Sequence, residues 1–192
     1  MDRFQNKYRI PSARASWWNY GNAGAYFITI CTRNREKCFG EITDGEMILS
    51  ETGIIVDTMW HEIKNHAPNI ETDAFVVMPN HIHGIIILNH NHIGTFNIET
   101  LHATSLQKPL PPRSNNDFMA AISPKSASVS TTIRSYKSAV TKQTHRLGYT
   151  FEWQPRFHDH IIPDEAEYRR ISYYIETNVE NWETDCFFGM VE

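Results

Sequence analysis

The stretch "VVMPNHIHGIII", from Val76 to Ile87, narrows the fold more than any other part of the chain. Beyond Pro79 and Asn80, apolar residues stand at odd and even positions alike: Ile85 and Ile87 on one side, Ile82, Ile86 and Leu88 on the other. A strand sends successive side chains to opposite faces, so a strand that is apolar on both faces is covered on both and lies inside a sheet. The pattern predicts a central strand at His81–Leu88, entered from another strand over residues 74–78 through the break at Pro79-Asn80. His81 and His83 share one face at the mouth of that strand, where Val or Leu would pack better. Two neutral imidazoles so placed are a candidate pair of metal ligands. Two hydrogen-bonded core histidines are the plainer alternative.

Around this strand the periodicity predicts alternating elements. Residues 25–32 ("AYFITICT") alternate as a strand, and "KCFGEITDGEMILS" reads as a hairpin turning at Asp44-Gly45. Ser50 caps a helix that runs to about His66, with Ile55, Met59 and Ile63 along one stripe. Periodicity vanishes over residues 89–128, where "QKPLPPRSNN" marks a long surface loop. A second helix is expected over residues 130–147, stopped by Gly148, with Ile133, Tyr136, Val140 and Leu147 inward and Arg134, Lys142 and Arg146 on the opposite flank.

The last helix carries the second anomaly. "PDEAEYRRISYYIETNVENW" opens on a capping box from Asp164 to Glu167, which sets its start near Glu165. At about 3.6 residues per turn, Ile171, Tyr174, Ile175, Asn178 and Trp182 fall on one face, and Tyr173 points outward. An inward Asn costs roughly 1–3 kcal/mol unless its amide finds a partner. Tyr174 and Asn178 are neighbours at i and i+4. A single site accounts for both anomalies: His81, His83 and Asn178 hold a divalent ion, and Tyr174 attacks a phosphate that the ion polarises. The product would be a covalent phosphotyrosine. Alternatives stay open at this level: Tyr174 as a core aromatic, Asn178 as a backbone cap, Tyr136 or Tyr168 as nucleophile, and the second H-x-H pair, His158 and His160, as the metal site.

Composition limits the partners. With 192 residues one core suffices, and residues 1–192 are expected to form a single domain. No apolar run spans a bilayer and no secretory leader is evident, so a soluble cytoplasmic protein without membrane contact is expected. Cys31, Cys38 and Cys186 show no C-x-x-C spacing, which argues for reduced structural thiols. The formal charge of −4 speaks weakly against nucleic acid. Its distribution does not: residues 101–150 hold seven Lys and Arg against one acid, Asp117. Arg3, Lys7, Arg9 and Arg14 form a basic arm, and Arg33, Arg35 and Lys37 a basic turn.

Taken in order, "MPNHIHGIIIL", "WQPRFHDHII" and "YRRISYYIETN" resemble the motifs of the single-tyrosine HUH transposases, and more closely those of the REP-associated tyrosine transposases. The resemblance runs from Tyr26 to Trp182. It implies a ferredoxin-like (RRM-like) α+β fold, an antiparallel sheet flanked by helices. It implies that His81 and His83 bind Mg²⁺ or Mn²⁺, that Asn178 completes the metal shell, and that Tyr174 attacks DNA. The implied activity is cleavage and rejoining of single-stranded DNA at a hairpin, leaving the 5′ phosphate on tyrosine and a free 3′ hydroxyl; Arg134, Lys142 and Arg146 are then candidate DNA contacts. Relatives act as monomers or as homodimers, and both arrangements stay open. Where relatives often have Pro after the metal-binding Asn, this chain has Val179, so the helix is expected to run on past Asn178. The runner-up is a domesticated hairpin-binding module that does not cleave; a third reading is a metal hydrolase using water.

Overall fold

The computed structural model describes residues 22–89 and 128–188, together with the backbone of two short paired strands, β1 (Arg3–Phe4) and β2 (Lys7–Tyr8). After these come β3 (Gly24–Cys31), the hairpin β4 (Gly40–Thr43) and β5 (Glu46–Leu49), helices α1 (Glu51–His61) and α2 (Ile63–His66), and strands β6 (Ile70–Met78) and β7 (His81–Leu88). Helix α3 (Val129–Arg146), strand β8 (His158–Ile162) and helix α4 (Glu165–Glu176) follow. The main sheet has the order β6-β7-β3-β8 with every neighbour antiparallel. The architecture is α+β, a four-stranded antiparallel sheet flanked by helices, and the histidine strand is central in it.

Local chemistry sets the ends of the elements. Asp44 and Gly45 both take positive φ (53° and 79°), which suits the right-handed twist of the β4-β5 hairpin. Ser50 Oγ accepts from the Gly53 N–H at 3.1 Å and starts α1. The expected continuous helix to His66 is instead broken at Glu62, the residue between α1 and α2. Strand β6 begins at Ile70, four residues ahead of the expected start, and a register shift between Thr72 and Phe75 interrupts the plain alternation there. A capping box between Ser128 and Thr131 opens α3, and Gly148 at φ 87° follows its end. Leu147, expected inward, is exposed: it lies past the last helical turn, and Val129 and Thr132 join the inward stripe at the other end. The expected long loop falls outside the described residues except for Asn89 and Ser128.

The sheet has two covered faces. Even-numbered β7 residues Ile82 and Ile86 join Tyr26, Ile28 and Ile30 under α1 and α3, with Val56, Trp60, Ile133, Tyr136 and Val140 completing this larger core. On the odd-numbered face Ile85 packs with Ile162, Ile171 and Ile175 under α4. His81 and His83 belong to the α4 face. Directly behind them Gly84 faces Trp60, whose ring stacks on Phe75 at 4.5 Å and 10°. A Cβ on Gly84 would stand 2.4 Å from Trp60 Cζ2 and 3.0 Å from Phe75 Cδ2. Gly84→Ala is therefore expected to destabilise the fold by roughly 1–3 kcal/mol through overpacking. A urea midpoint equal to that of the unaltered chain would show that the Trp60 layer can yield.

Candidate functional site

The strand carries both imidazoles into a dry part of the sheet face, where His81 and His83 are at most 1% exposed. His81 Nδ1 lies 2.8 Å from Asn80 Oδ1. An amide oxygen only accepts, and Asn80 Nδ2 is already donating to the carbonyls of Arg35 and Phe187, at 3.3 and 3.0 Å. His81 therefore carries its proton on Nδ1 and directs the Nε2 lone pair inward. His83 Nδ1 lies 2.9 Å from Thr29 Oγ1, and the two Nε2 atoms face each other at 3.0 Å. Because a hydroxyl both donates and accepts, Thr29 serves either His83 tautomer, and His83 can hold its proton on Nε2 toward His81 or on Nδ1 toward Thr29. Phe27 stacks on His83 at 5.1 Å, and Phe187 lies 4.4 Å from His81, with the Arg35 guanidinium 4.0 Å above its ring.

Helix α4 brings Tyr174 to this pair. Its hydroxyl is 3.2 Å from His83 Nε2 and donates to Asp185 Oδ2 at the same distance. The outward reading of Tyr173 holds, at 68% exposure, whereas Tyr174 is 38% exposed and edges onto Phe27 at 6.1 Å. Burial, then the charge of Asp185, pushes the Tyr174 phenol up to about 12, while a hydrogen bond from Asn178 works in the other direction. Asn178 is 2% exposed, on the inward side as expected. Helix α4 ends at Glu176, however, with Thr177 as its cap, so the expected continuation beyond Asn178 does not occur: Val179 leaves the helix without proline's help. Asn178 Nδ2 donates to Asp185 Oδ2 at 3.3 Å, while its Oδ1 is buried with no hydrogen-bond partner among the described residues.

These groups fit a divalent cation. Among the described residues, His81, His83 and Asp185 are the one His/Cys/Asp/Glu cluster whose ligand atoms all lie within 4.8 Å of one another. Nitrogen and oxygen donors with a neighbouring unsatisfied amide oxygen suit an ion that tolerates mixed ligation. Asp185 has no signal in the sequence, since it lies 102 residues beyond His83 and outside every periodic element. Asn80 was in plain view beside His81, and the rule that a ligating histidine has its other nitrogen held by a neighbour would have found it.

The competing tyrosines are engaged elsewhere. Tyr136 donates to the Val56 carbonyl at 2.9 Å inside the α1-α3 core, and Tyr168 donates to Asp73. His158 and His160 sit exposed on the edge strand β8 and line a cavity shared with His83 and Tyr174, with His160 Nε2 3.2 Å from Glu167 Oε1. Arg134, Lys142 and Arg146 are exposed on α3, the helix packed on the opposite face of the sheet from the histidines. The Arg3–Arg14 arm falls outside the described side chains.

A cavity of about 640 Å³ opens beside His83 and Tyr174. One wall is the segment of residues 154–157 ahead of β8. Gln154 N–H donates to the Cys31 carbonyl at 2.9 Å, and the Lys137 ammonium donates to the carbonyls of Gln154 and Arg156 at 2.8 and 2.9 Å. Burial draws the Lys137 ammonium down to about 8. Arg156, with φ 71°, is held in the left-handed region that bulky side chains seldom occupy.

No family model matches the chain. It is 35% identical over 179 residues to an uncharacterized protein of Haemophilus influenzae, with 92% of each chain aligned, and it belongs to the same family as that protein. In three dimensions it is similar to the REP-associated tyrosine transposase solved bound to a REP hairpin, with a TM-score of 0.51 and 23% identity, over 93% of this chain and 76% of the other. The fold is thus the one that the motifs implied. Among the described residues no helix is long and apolar enough to cross a membrane.

Desolvation holds His83 down at about 4 and His81 well below the usual imidazole range. An unfolded imidazole titrates near ~6.5. Between those values the unfolded chain binds a proton that the folded chain refuses, so without added metal stability falls as pH drops from ~6.5 toward ~4, by on the order of 3 kcal/mol for His83. Urea titrations across this window should give a flatter pH dependence for His83→Gln than for the unaltered chain. Identical slopes would remove the imidazole from the acid response.

Proposed function

We propose that this chain is a metal-dependent DNA strand transferase of the REP-associated tyrosine transposase type, cutting and rejoining single-stranded DNA at a hairpin. The observation that carries this reading is the Tyr174 hydroxyl 3.2 Å from His83 Nε2 within one chain. No partner subunit is needed to supply the tyrosine, which favours a site complete in the monomer. Mg²⁺ or Mn²⁺ bound by His81 and His83, with Asn178 or Asp185 as the oxygen ligand, would neutralise and polarise the scissile phosphate.

Tyr174 supplies the nucleophilic oxygen. With its phenol near 12 it is protonated at neutral pH, and Asp185 Oδ2 is the acceptor its hydroxyl already addresses. The Tyr174 Oη–phosphorus bond forms as the bond from phosphorus to the 3′ oxygen breaks; the phenolic proton is balanced by the one gained at the 3′ hydroxyl. One phosphodiester replaces another, so rejoining is the same step reversed and needs no nucleotide energy source. Asn80 keeps His81 in the tautomer that offers Nε2. Arg134, Lys142 and Arg146 lie on the other layer and would serve only DNA that reaches around the sheet.

The test is a labelled hairpin with a single-stranded flank, incubated with Mn²⁺ and run on a denaturing gel. A covalent adduct is expected, abolished by chelator and reduced at least about 100-fold in Tyr174→Phe. Adduct persisting in that variant would reassign the nucleophile, and free 5′ phosphate without adduct would favour water as the attacking group. Hairpin binding in chelator, with no adduct under any metal, would leave a non-cleaving module. In a separate measurement, Asn80→Ala is expected to weaken Mn²⁺ binding roughly 10- to 100-fold by isothermal titration calorimetry; unchanged affinity would exclude Asn80 as the group that orients His81.

A further inference from the structure

The "WQPRFHDHII" motif is not used by the chemistry above, yet residues 154–157 form a wall of the cavity that contains His83 and Tyr174. We propose that this cavity is a slot for an unpaired nucleotide beside the scissile phosphate, gripped by Arg156 and stacked by Phe157. The inference rests on the strand-transfer reading and extends it to a specific contact surface.

Three observations support it. First, charge: the lining includes Arg35, Arg156 and Arg170 and no Asp or Glu, although the whole chain carries a formal charge of −4. Arg170 is shared with Glu167 at 2.5 Å and Arg35 lies over Phe187, so Arg156 is the guanidinium best placed for a phosphate. Second, shape: Phe27 and Phe157 present ring carbon to a space of about 640 Å³, within the ~300–1,000 Å³ range of small-ligand sites and far too small for a duplex. Aromatic faces under a basic rim are how single strands are held without base-specific hydrogen bonds. Third, rigidity: Lys137 ties the carbonyls of Gln154 and Arg156, and Gln154 N–H is tied to Cys31, so the wall is built before any ligand arrives. Arg156 keeps its left-handed backbone at φ 71° where Gly would be at ease. A non-glycine residue held in this region on an exposed loop points to use of its side chain.

The backbone strain makes a clean experiment. Fluorescence anisotropy would compare a short unstructured oligothymidine with a blunt hairpin lacking any single-stranded flank. Arg156→Gly is expected to weaken oligothymidine binding roughly tenfold while leaving the blunt hairpin unchanged and the melting temperature equal or higher. Phe157→Leu, which keeps an apolar side chain against the core, should give a similar selective loss. Should Phe157→Leu fail to fold, Arg156→Gly decides alone. Oligothymidine affinity unchanged in Arg156→Gly, an equal loss for both probes, or no oligothymidine binding by the unaltered chain would overturn the slot. The adduct assay stays separate: adduct formed by Arg156→Gly at unchanged KM overturns the slot and spares strand transfer, whereas no adduct from the unaltered chain overturns strand transfer and leaves the slot to the anisotropy result.

Discussion

Two imidazole nitrogens face each other at 3.0 Å on a buried sheet face, and much of the surrounding structure exists to make that placement tolerable. Buried polar groups are costly unless every donor and acceptor is met. Asn80 Oδ1 accepts a hydrogen bond from His81 Nδ1–H, Thr29 accepts or donates one at His83 Nδ1, and Phe27 and Phe187 cover the rings. Neither imidazole can protonate easily in that setting. Both are thereby kept neutral at ordinary pH, the state in which an imidazole can bind a cation.

The opposite face of the same strand is closely packed. Gly84, the residue after His83, lets the Trp60-Phe75 stack lie flat against the strand backbone, and α1 and α3 close over it. The larger core is therefore on the side away from His81 and His83. The α4 side has a smaller apolar cluster of Ile85, Ile162, Ile171 and Ile175, which is enough to anchor the helix. Tyr174 rides on that anchor, one residue ahead of Ile175, half inside and half outside. Its phenol touches the His83 imidazole while its side chain still borders an open cavity.

That cavity joins parts of the chain that are far apart in sequence. The Arg33–Arg35 turn, the 154–157 wall and the Arg170–Tyr174 stretch of α4 meet there because β3 pairs with β7 on one side and β8 on the other. Backbone hydrogen bonds from Arg33 to Glu152 and from Gln154 to Cys31 zip the wall onto the end of β3. Lys137 reaches it from α3, which links the large core to the groove. The fold thus gives one edge of the sheet a formed, basic, aromatic-lined surface next to a buried pair of imidazoles.

Much of this was readable from residue order because it depends on local periodicity. Alternation placed His81 and His83 on one face of a central strand, and helical spacing placed Tyr174 and Asn178 inward with Tyr173 outward. Caps at Ser50 and Asp164 and the Asp44-Gly45 turn set boundaries through short-range hydrogen bonds and φ preference. What residue order could not decide were the meetings across distance. Nothing local shows Asp185 reaching the tyrosine, Lys137 holding the carbonyl of Arg156, or α3 lying on the far layer with Arg134, Lys142 and Arg146. Periodicity tells which way a side chain points from its own element; only the packing of elements against each other tells what it points at.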